Sequence, residues 1–240
     1  MPVKAVFFDF MGTCLDWHGS ISQALPTTFP RTSASSLALQ WRRAYFLSNQ
    51  ARLAAGSAPE DIDLTLARTL AALVEREFPA HAALFADPAV RARLIRSWHT
   101  QRAWPDVAAA LARLAAQDEP RPELFVHGNG TTRLQLDLVR ASGLGAHFAM
   151  LFSSELLGVY KPDRRAYDKA LELVRVRPEE VVMVAAHAFD LRGAKAVGMK
   201  TVYIRRWTDD IDEDMENVSS EVDVFLENMD TLPEIIAKFQ

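Results

Sequence analysis

Short, uninterrupted apolar runs recur along this chain of 240 residues, and helical patterns separate most of them. Such runs are typical of strands that are buried on both faces of a parallel sheet. Strands that alternate with helices favour a doubly wound, Rossmann-like α/β sheet. The predicted strands cover residues 3–10, 123–127, 148–153, 181–186 and 200–204, with a weaker one at 222–226. Helices are predicted over residues 132–142, 163–174 and 190–197.

The stretch between the first two strands breaks this alternation. Residues 37–55, 61–78 and 88–99 have helical patterns, and no convincing strand lies among them. We therefore predict an all-helical cap at residues 16–100, inserted into an α/β core made of residues 1–15 and 101–240. The acidic run at residues 209–216 is predicted to be a solvated surface loop.

Charge and cysteine content exclude several classes of function. The net charge of −4 gives no basic field that would hold nucleic acid or an anionic membrane. The single cysteine, Cys14, allows neither an internal disulfide nor a cysteine-built zinc site, and the histidines have no metal-ligand spacing. No apolar run approaches the ~18 residues of a membrane span. The N-terminus has no signal-peptide pattern. We expect a cytoplasmic protein without nucleic-acid or membrane partners.

Polar side chains follow four of the predicted strands. In an open α/β sheet, ligands bind at the carboxyl ends of the strands. These positions offer two carboxylates, an amide, an ammonium and an imidazole at one edge of the sheet. In chain order the residues are Asp9 with Thr13, Gly128 with Asn129, Lys161, and His187 with Asp190.

Four motifs at these positions resemble those of the haloacid dehalogenase superfamily, and most of all its L-2-haloacid dehalogenase (type II) branch. They are Asp-Phe-Met-Gly-Thr, Gly-Asn-Gly, Tyr-Lys-Pro-Asp and Ala-His-Ala-Phe-Asp, and the cap adds Leu-Gln-Trp-Arg at residues 39–42. The resemblance covers nearly the whole chain. It implies hydrolysis of the carbon–halogen bond of a short 2-haloalkanoic acid, without metal or other cofactor, through an aspartyl ester. It also implies a possible homodimer.

The resemblance assigns the reacting groups to Asp9, Lys161 and Asp190. Asp9 is the implied nucleophile, since a carboxylate can split the reaction into two steps through an ester. Lys161 keeps this carboxylate ionised and oriented. Asp190 orients Lys161 and the hydrolytic water. The hydroxyl of Thr13 is suited to hold a carboxylate oxygen, with a helix N-cap as its alternative role.

Substrate and halide contacts are implied for three further side chains. Arg42 of the cap matches an arginine that engages the substrate and receives the halide, and a guanidinium suits both tasks. Arg43 is the alternative candidate. Asn129 matches an amide that cradles halide, although it also suits a turn. Tyr167 matches an active-site tyrosine, although core packing would explain it as well.

Several positions depart from the family pattern. Met11 stands where phosphatases of the superfamily have a second aspartate and where dehalogenases usually have tyrosine. A thioether is neither an acid nor a ligand for a hard cation, so Met11 disfavours a magnesium-dependent phosphatase. Gly128 replaces a serine whose hydroxyl would bind the substrate carboxylate, although backbone N–H groups remain available at that loop. Ala185 replaces a serine near the hydrolytic water, and His187 replaces an asparagine. His187 could serve as the base for attack of water on the Asp9 ester.

These departures leave three alternatives open. The first is a hydrolase or lyase that acts on another small organic acid with the same nucleophile. The second is a phosphatase, for which magnesium-dependent phosphate release would be the sign. The third is a non-catalytic paralogue, against which the joint presence of Asp9, Lys161 and Asp190 argues.

Overall fold

A computed structural model describes residues 2–117 and 121–239. Its main sheet has six strands, all paired in parallel, and a second sheet is an antiparallel pair. The strands are β1 (Ala5–Phe8), β2 (Leu15–Asp16), β3 (Arg102–Ala103), β4 (Glu123–Gly128), β5 (Met150–Ser153), β6 (Val181–Ala185), β7 (Lys200–Ile204) and β8 (Val224–Leu226). The order in the main sheet is β5-β4-β1-β6-β7-β8, so β1 lies in the middle.

Twelve α-helices lie within the described ranges. They are α1 (Trp17–Ala24), α2 (Arg31–Ala54), α3 (Ile62–Glu77), α4 (Ala82–Ala86), α5 (Pro88–His99), α6 (Val107–Ala115), α7 (Thr132–Ser142), α8 (Ser154–Leu157), α9 (Arg164–Val174), α10 (Ala188–Val197), α11 (Met215–Glu221) and α12 (Leu232–Lys238). None of the helices in the described part of the chain has the length and apolarity needed to cross a membrane.

Helices cover both faces of the main sheet. The two-residue period of a strand sends alternate side chains of β1 to opposite faces, and all four residues of β1 are buried. Val6 and Phe8 join one apolar cluster, which includes residues of α6, α7 and α12. Ala5 and Phe7 join the other, which includes residues of α9 and α10. This confirms the predicted parallel sheet buried on both sides.

The cap consists of helices and is inserted between β1 and the rest of the core. The chain leaves the core at β2 and returns at β3, and these two strands pair. Helices α1 to α5 lie between them. Inside the cap, Trp17, Trp41 and Trp98 are fully buried, and the rings of Trp17 and Trp98 stack. The observed fold is thus the predicted α/β core with an inserted all-helical cap.

One sequence expectation about the surface fails at the two ends of the segment. Within the acidic run at residues 209–216, Asp209 is 6% exposed, and a helix, α11, begins at Met215. Both carboxylate oxygens of Asp209 accept hydrogen bonds from Trp17 Nε1, at 3.1 and 3.2 Å. Thr208 Oγ1 donates a further one at 2.7 Å. This carboxylate can be buried because Trp17 of the cap and the neighbouring Thr208 supply its hydrogen-bond donors.

Candidate active site

The carboxylate of Asp9 is fixed at the carboxyl end of the central strand. The backbone N–H of Asp9 donates to the carbonyl oxygen of Val184 in β6, at 3.0 Å. Thr13 Oγ1 donates to Asp9 Oδ2 at 2.7 Å and accepts a bond from the N–H of Ala186 at 2.8 Å. Lys161 Nζ donates to Asp9 Oδ1 at 3.0 Å. The carboxylate is 7% exposed and is therefore held from two sides.

Lys161 joins two carboxylates inside the core. Its ammonium contacts Asp9 and Asp190 and donates to the carbonyl oxygen of His127. The hydroxyl of Tyr167 donates to Asp190 Oδ1 at 2.7 Å. Burial disfavours the charged ammonium, but Asp190 and Asp9 together raise the pKa of Lys161 above its ordinary value. Lys161 therefore stays cationic in this cluster.

His187 forms a chain of hydrogen bonds between two carboxylates. Its Nδ1 lies 3.0 Å from Asp9 Oδ2, and its Nε2 lies 3.0 Å from Asp209 Oδ1. Burial alone would lower the pKa of His187, but the carboxylates of Asp9 and Asp209 raise it to about 10. At neutral pH the imidazole is therefore protonated while Asp9 is a free carboxylate.

The surrounding charges keep Asp9 ionised. Burial alone would raise the pKa of this carboxyl, but the positive charges of Lys161 and His187 hold it far below its ordinary value. The hydrogen bonds from His187 and Thr13 act in the same direction. The result is a permanently anionic carboxylate of fixed orientation, which is what nucleophilic catalysis by aspartate requires.

Asp9 faces a small inner cavity of about 20 Å³. This volume has room for about one water molecule. A larger outer groove of about 450 Å³ lies next to it. The two spaces have four lining residues in common, which we call the shared wall: Arg42, Phe46, His187 and Phe189.

Arg42 of α2 closes the inner cavity from the cap side. One guanidinium nitrogen, Nη2, donates to the carbonyl oxygen of Met11 at 3.0 Å, and Nη1 contacts the Met11 sulfur. The guanidinium lies 4.5 Å from the centre of the Phe46 ring and 3.8 Å from Asp209. Arg43 is exposed and pairs with Asp212 at 3.0 Å. Of the two candidate arginines, the structure brings Arg42 to Asp9.

The structure separates the predicted site residues into two sets. Seven line the inner cavity: Asp9, Met11, Arg42, Gly128, Asn129, Lys161 and His187. The other three, Thr13, Tyr167 and Asp190, lie behind them and are not among its lining residues. Tyr167 contacts Asp190 and does not reach the cavity, where the substrate contact was predicted.

The side chain of Asn129 is occupied by the neighbouring loop. Its Oδ1 accepts a bond from the backbone N–H of Lys161 at 2.9 Å, and its Nδ2 donates to the Lys161 carbonyl oxygen at 3.1 Å. Both ends of the Asn129 amide thereby hold the backbone segment that positions Lys161. In this geometry Asn129 is first of all a positioning group for Lys161.

Sequence reasoning missed Asp209 and Gln135. Asp209 follows β7, so the strand-end rule that found Asp9 applied to it as well. Gln135 lines the inner cavity from α7 and is 2% exposed. A pattern in the sequence could have identified it: Gln135 is a polar residue next to Leu134 and four residues before Val139, on the apolar side of a predicted helix. The described residues contain no cluster of three or more His, Cys, Asp or Glu that could hold a metal ion.

Comparisons with known proteins agree with this geometry. A family model of haloacid dehalogenase-like hydrolases matches residues 3–198. (S)-2-haloacid dehalogenase 1 of Pseudomonas sp. (strain CBS-3) is 28% identical over 205 residues, which are 85% of this chain and 86% of the relative. (S)-2-haloacid dehalogenase 4A of Burkholderia cepacia is 27% identical over 209 residues, 85% of this chain and 84% of the relative.

Solved structures are similar over the whole length. A crystal structure of an L-2-haloacid dehalogenase has a TM-score of 0.81 at 29% identity and covers 98% of this chain and 99% of its own. A defluorinating L-2-haloacid dehalogenase has a TM-score of 0.82 at 27% identity, with 98% and 95% covered. Both proteins are similar to this chain in the core and in the cap.

Proposed function

Because the chain belongs to the haloacid dehalogenase-like hydrolases, we propose that it hydrolyses the carbon–halogen bond of a short (S)-2-haloalkanoic acid. The observation that carries the proposal is the ionised carboxylate of Asp9, held by Lys161 and Thr13 against a small cavity. Met11 supports it, because the position two residues after Asp9 carries no second carboxylate. The relatives named for this reaction support the substrate class.

The first step forms an ester on Asp9. A lone pair of the carboxylate attacks C2 of the substrate, the carbon–halogen bond breaks, and the halide leaves with the bonding electrons. Attack from the side opposite the halogen inverts C2. Arg42 receives the halide, because its guanidinium is the cation that reaches the inner cavity from the cap. Lys161 holds the attacking carboxylate in place throughout.

The second step hydrolyses the ester. Esterification removes the negative charge of Asp9, so the pKa of His187 falls and its extra proton leaves toward the outer groove. The neutral imidazole then takes a proton from water while the water oxygen attacks the carbonyl carbon of Asp9. The bond between the Asp9 carbonyl carbon and the bridging oxygen breaks, and the imidazolium gives its proton to that oxygen, so the product departs as the 2-hydroxy acid. The new Asp9 carboxyl then passes its proton to His187, 3.0 Å away, and both groups return to their starting charges. Asp190 acts by orienting Lys161, which it contacts directly.

The inner cavity has to open before a haloacid can enter. It has room for about one water molecule while Arg42 is bound to Met11. Substrate entry therefore needs a movement of the Arg42 side chain or of α2, after which closure excludes water from the first step. We take residues 16–100 as the cap that moves and residues 1–15 and 101–240 as the core. The homodimer that the family resemblance implies stays a prediction.

The test is halide release from each enantiomer of 2-chloropropionate in the presence of EDTA. We expect release from the (S) form alone, with no release by Asp9→Asn, whose amide is not a nucleophile. Full turnover by Asp9→Asn would end the mechanism. No release from either enantiomer by the unmodified protein would refute the proposed reaction and turn attention to other small acids and to phosphate esters.

A further inference from the structure

Gln135 brings a buried amide with unused hydrogen-bonding capacity to the inner cavity. The side chain is 2% exposed, and its Nε2 makes a marginal contact of 3.5 Å with the carbonyl oxygen of Asn129. Within residues 2–117 and 121–239, nothing donates to its Oε1. Buried polar groups of native proteins are nearly always satisfied, and the group of this amide that can serve an acceptor such as a carboxylate is its nitrogen. Its nitrogen has a second N–H to give, since an amide carries two.

Gly128 leaves the space that this amide fills. A Cβ atom built on Gly128 would lie 2.5 Å from Gln135 Nε2, closer than real Cβ contacts come. The backbone of Gly128 is outside the left-handed region, so its conformation does not require glycine. The absence of a side chain is instead explained by the amide. A side chain at position 128 and the amide of Gln135 compete for one volume beside Asp9.

Two neighbouring donors of the cavity, Lys161 and Asn129, are already committed. The three N–H groups of the Lys161 ammonium point to Asp9, Asp190 and the carbonyl oxygen of His127. The amide of Asn129 is bound to the Lys161 backbone through both of its ends. A carboxylate that enters beside Asp9 therefore needs other donors of the lining, and two are at hand: the amide of Gln135 and the guanidinium of Arg42, whose Nε has no partner among the described residues.

We propose that the Gln135 amide binds the carboxylate group of the substrate and that Gly128 is glycine in order to admit this amide. Gln135 thereby does the work that the resemblance gives to a serine side chain at position 128. The proposal rests on the proposed function for the identity of the acid, and on the geometry for the binding group. It makes Gln135 the determinant of carboxylate recognition on the side of α7.

The test uses (S)-2-chloropropionate as substrate and propionate as a non-reacting probe of carboxylate binding. Gln135→Glu keeps the shape of the side chain but removes the N–H donors and repels the probe. We expect KM and the propionate Kd to rise at least about 10- to 100-fold, with a smaller change in kcat. Gln135→Ala loses the donor without the repulsion and shows a smaller rise. Gln23→Glu, an exposed change on α1, adds the same charge and leaves both constants unchanged.

A swap of the two positions is the second arm. Gly128→Ser alone displaces the amide and weakens propionate binding, because its Cβ needs the place of Nε2. The double variant Gly128→Ser with Gln135→Ala gives the serine hydroxyl that place, and we expect tighter binding than in either single variant. Unchanged propionate binding in Gln135→Glu, with its melting temperature intact, overturns the inference. If the unmodified protein binds propionate through Gln135 but releases no halide, the inference stands and the proposed reaction fails. If it binds no propionate, the inference fails as well.

Discussion

Replacing Lys161 by methionine leaves two buried carboxylates without their common cation. The side chain of Lys161 is 2% exposed, and it contacts Asp9, 3.0 Å away, and Asp190. Removing one partner of a buried ion pair costs about 3–5 kcal/mol, because the remaining charge is left desolvated. For a chain of this size that is a fall in melting temperature of roughly 6–20 °C.

A lysine at the surface provides the matched control. Lys4 Nζ forms an ion pair with Glu180 at 2.9 Å, and the Lys4 side chain is 57% exposed. The Glu180 side chain is 5% exposed, but it keeps a second cation, Arg177, at 3.1 Å when Lys4 is replaced. Exposed pairs contribute about 0–1 kcal/mol, so Lys4→Met should lower the melting temperature by no more than a few degrees. Both variants replace lysine by methionine, so the difference between them measures the effect of burial and not the loss of a charge alone.

The effect of Lys161→Met should also depend on pH. In the unmodified protein the pKa of Asp9 is lowered from 3.8, so its contribution to stability is present above that pH and is lost as the pH falls below it. Without Lys161, Asp190 has no cation against the burial and the Asp9 charge that raise its pKa, while Asp9 keeps only His187 and Thr13 to hold its own pKa down. A raised carboxyl pKa destabilises the folded state as the pH rises. The stability gap between the two proteins should therefore narrow as the pH is lowered toward 3.8.

Urea denaturation followed by circular dichroism measures both effects. We expect a gap of about 3–5 kcal/mol at pH 7 that shrinks at pH 5, together with loss of halide release. A Lys161→Met protein as stable as the Lys4→Met control at pH 7 would refute the reasoning. A gap that widens on acidification would show that the two carboxyls are not the source of the cost.

Three further substitutions test the neighbours of the nucleophile. In His187→Gln the first turnover still releases halide, but ester hydrolysis slows about 10²–10⁴-fold, so mass spectrometry of the intact protein detects the ester on Asp9; unchanged steady-state turnover would contradict this. In Asp209→Asn the imidazole loses one of the two carboxylates that raise the pKa of His187, so the limb of the pH profile of kcat that rises with pH moves to lower pH, and an unmoved limb would contradict the pairing. In Tyr167→Phe the loss of the 2.7 Å bond to the Asp190 carboxylate lowers the free energy of unfolding, measured in urea, by about 1.5–3 kcal/mol, and a loss above about 4 kcal/mol would contradict so local a role.

The sequence could predict residues whose place follows from topology. Parallel strands end at one edge of a sheet, so Asp9, Lys161 and His187 were found from strands that hydrophobicity alone reveals. The bounds of β7 and α7 match the predicted ranges, residues 200–204 and 132–142. Tyr167 was recognised as part of the site, but its depth behind Asp190 depends on how α9 packs on the sheet.

Asp209 and Gln135 show what the sequence did not reveal. The acidic neighbours of Asp209 suggested solvation, and its main partner, Trp17, is distant in the chain at the start of the cap. Gln135 lies seven residues after Gly128, but their competition for space arises from the packing of α7 against the end of β4. Both depend on distances between elements, which no local pattern encodes.

The shared wall provides separate routes for protons and for the organic acid. His187 lines both the inner cavity and the outer groove, with Nδ1 bound to Asp9 and Nε2 bound to Asp209, which also lines the groove. Arg42 is the neighbour that has to move for an organic acid to pass. A proton can cross through the imidazole ring by entering at one nitrogen and leaving at the other, with no opening of the chamber. Proton transfer and the entry of carbon compounds therefore use different routes, and the ester can be hydrolysed while Arg42 stays in place.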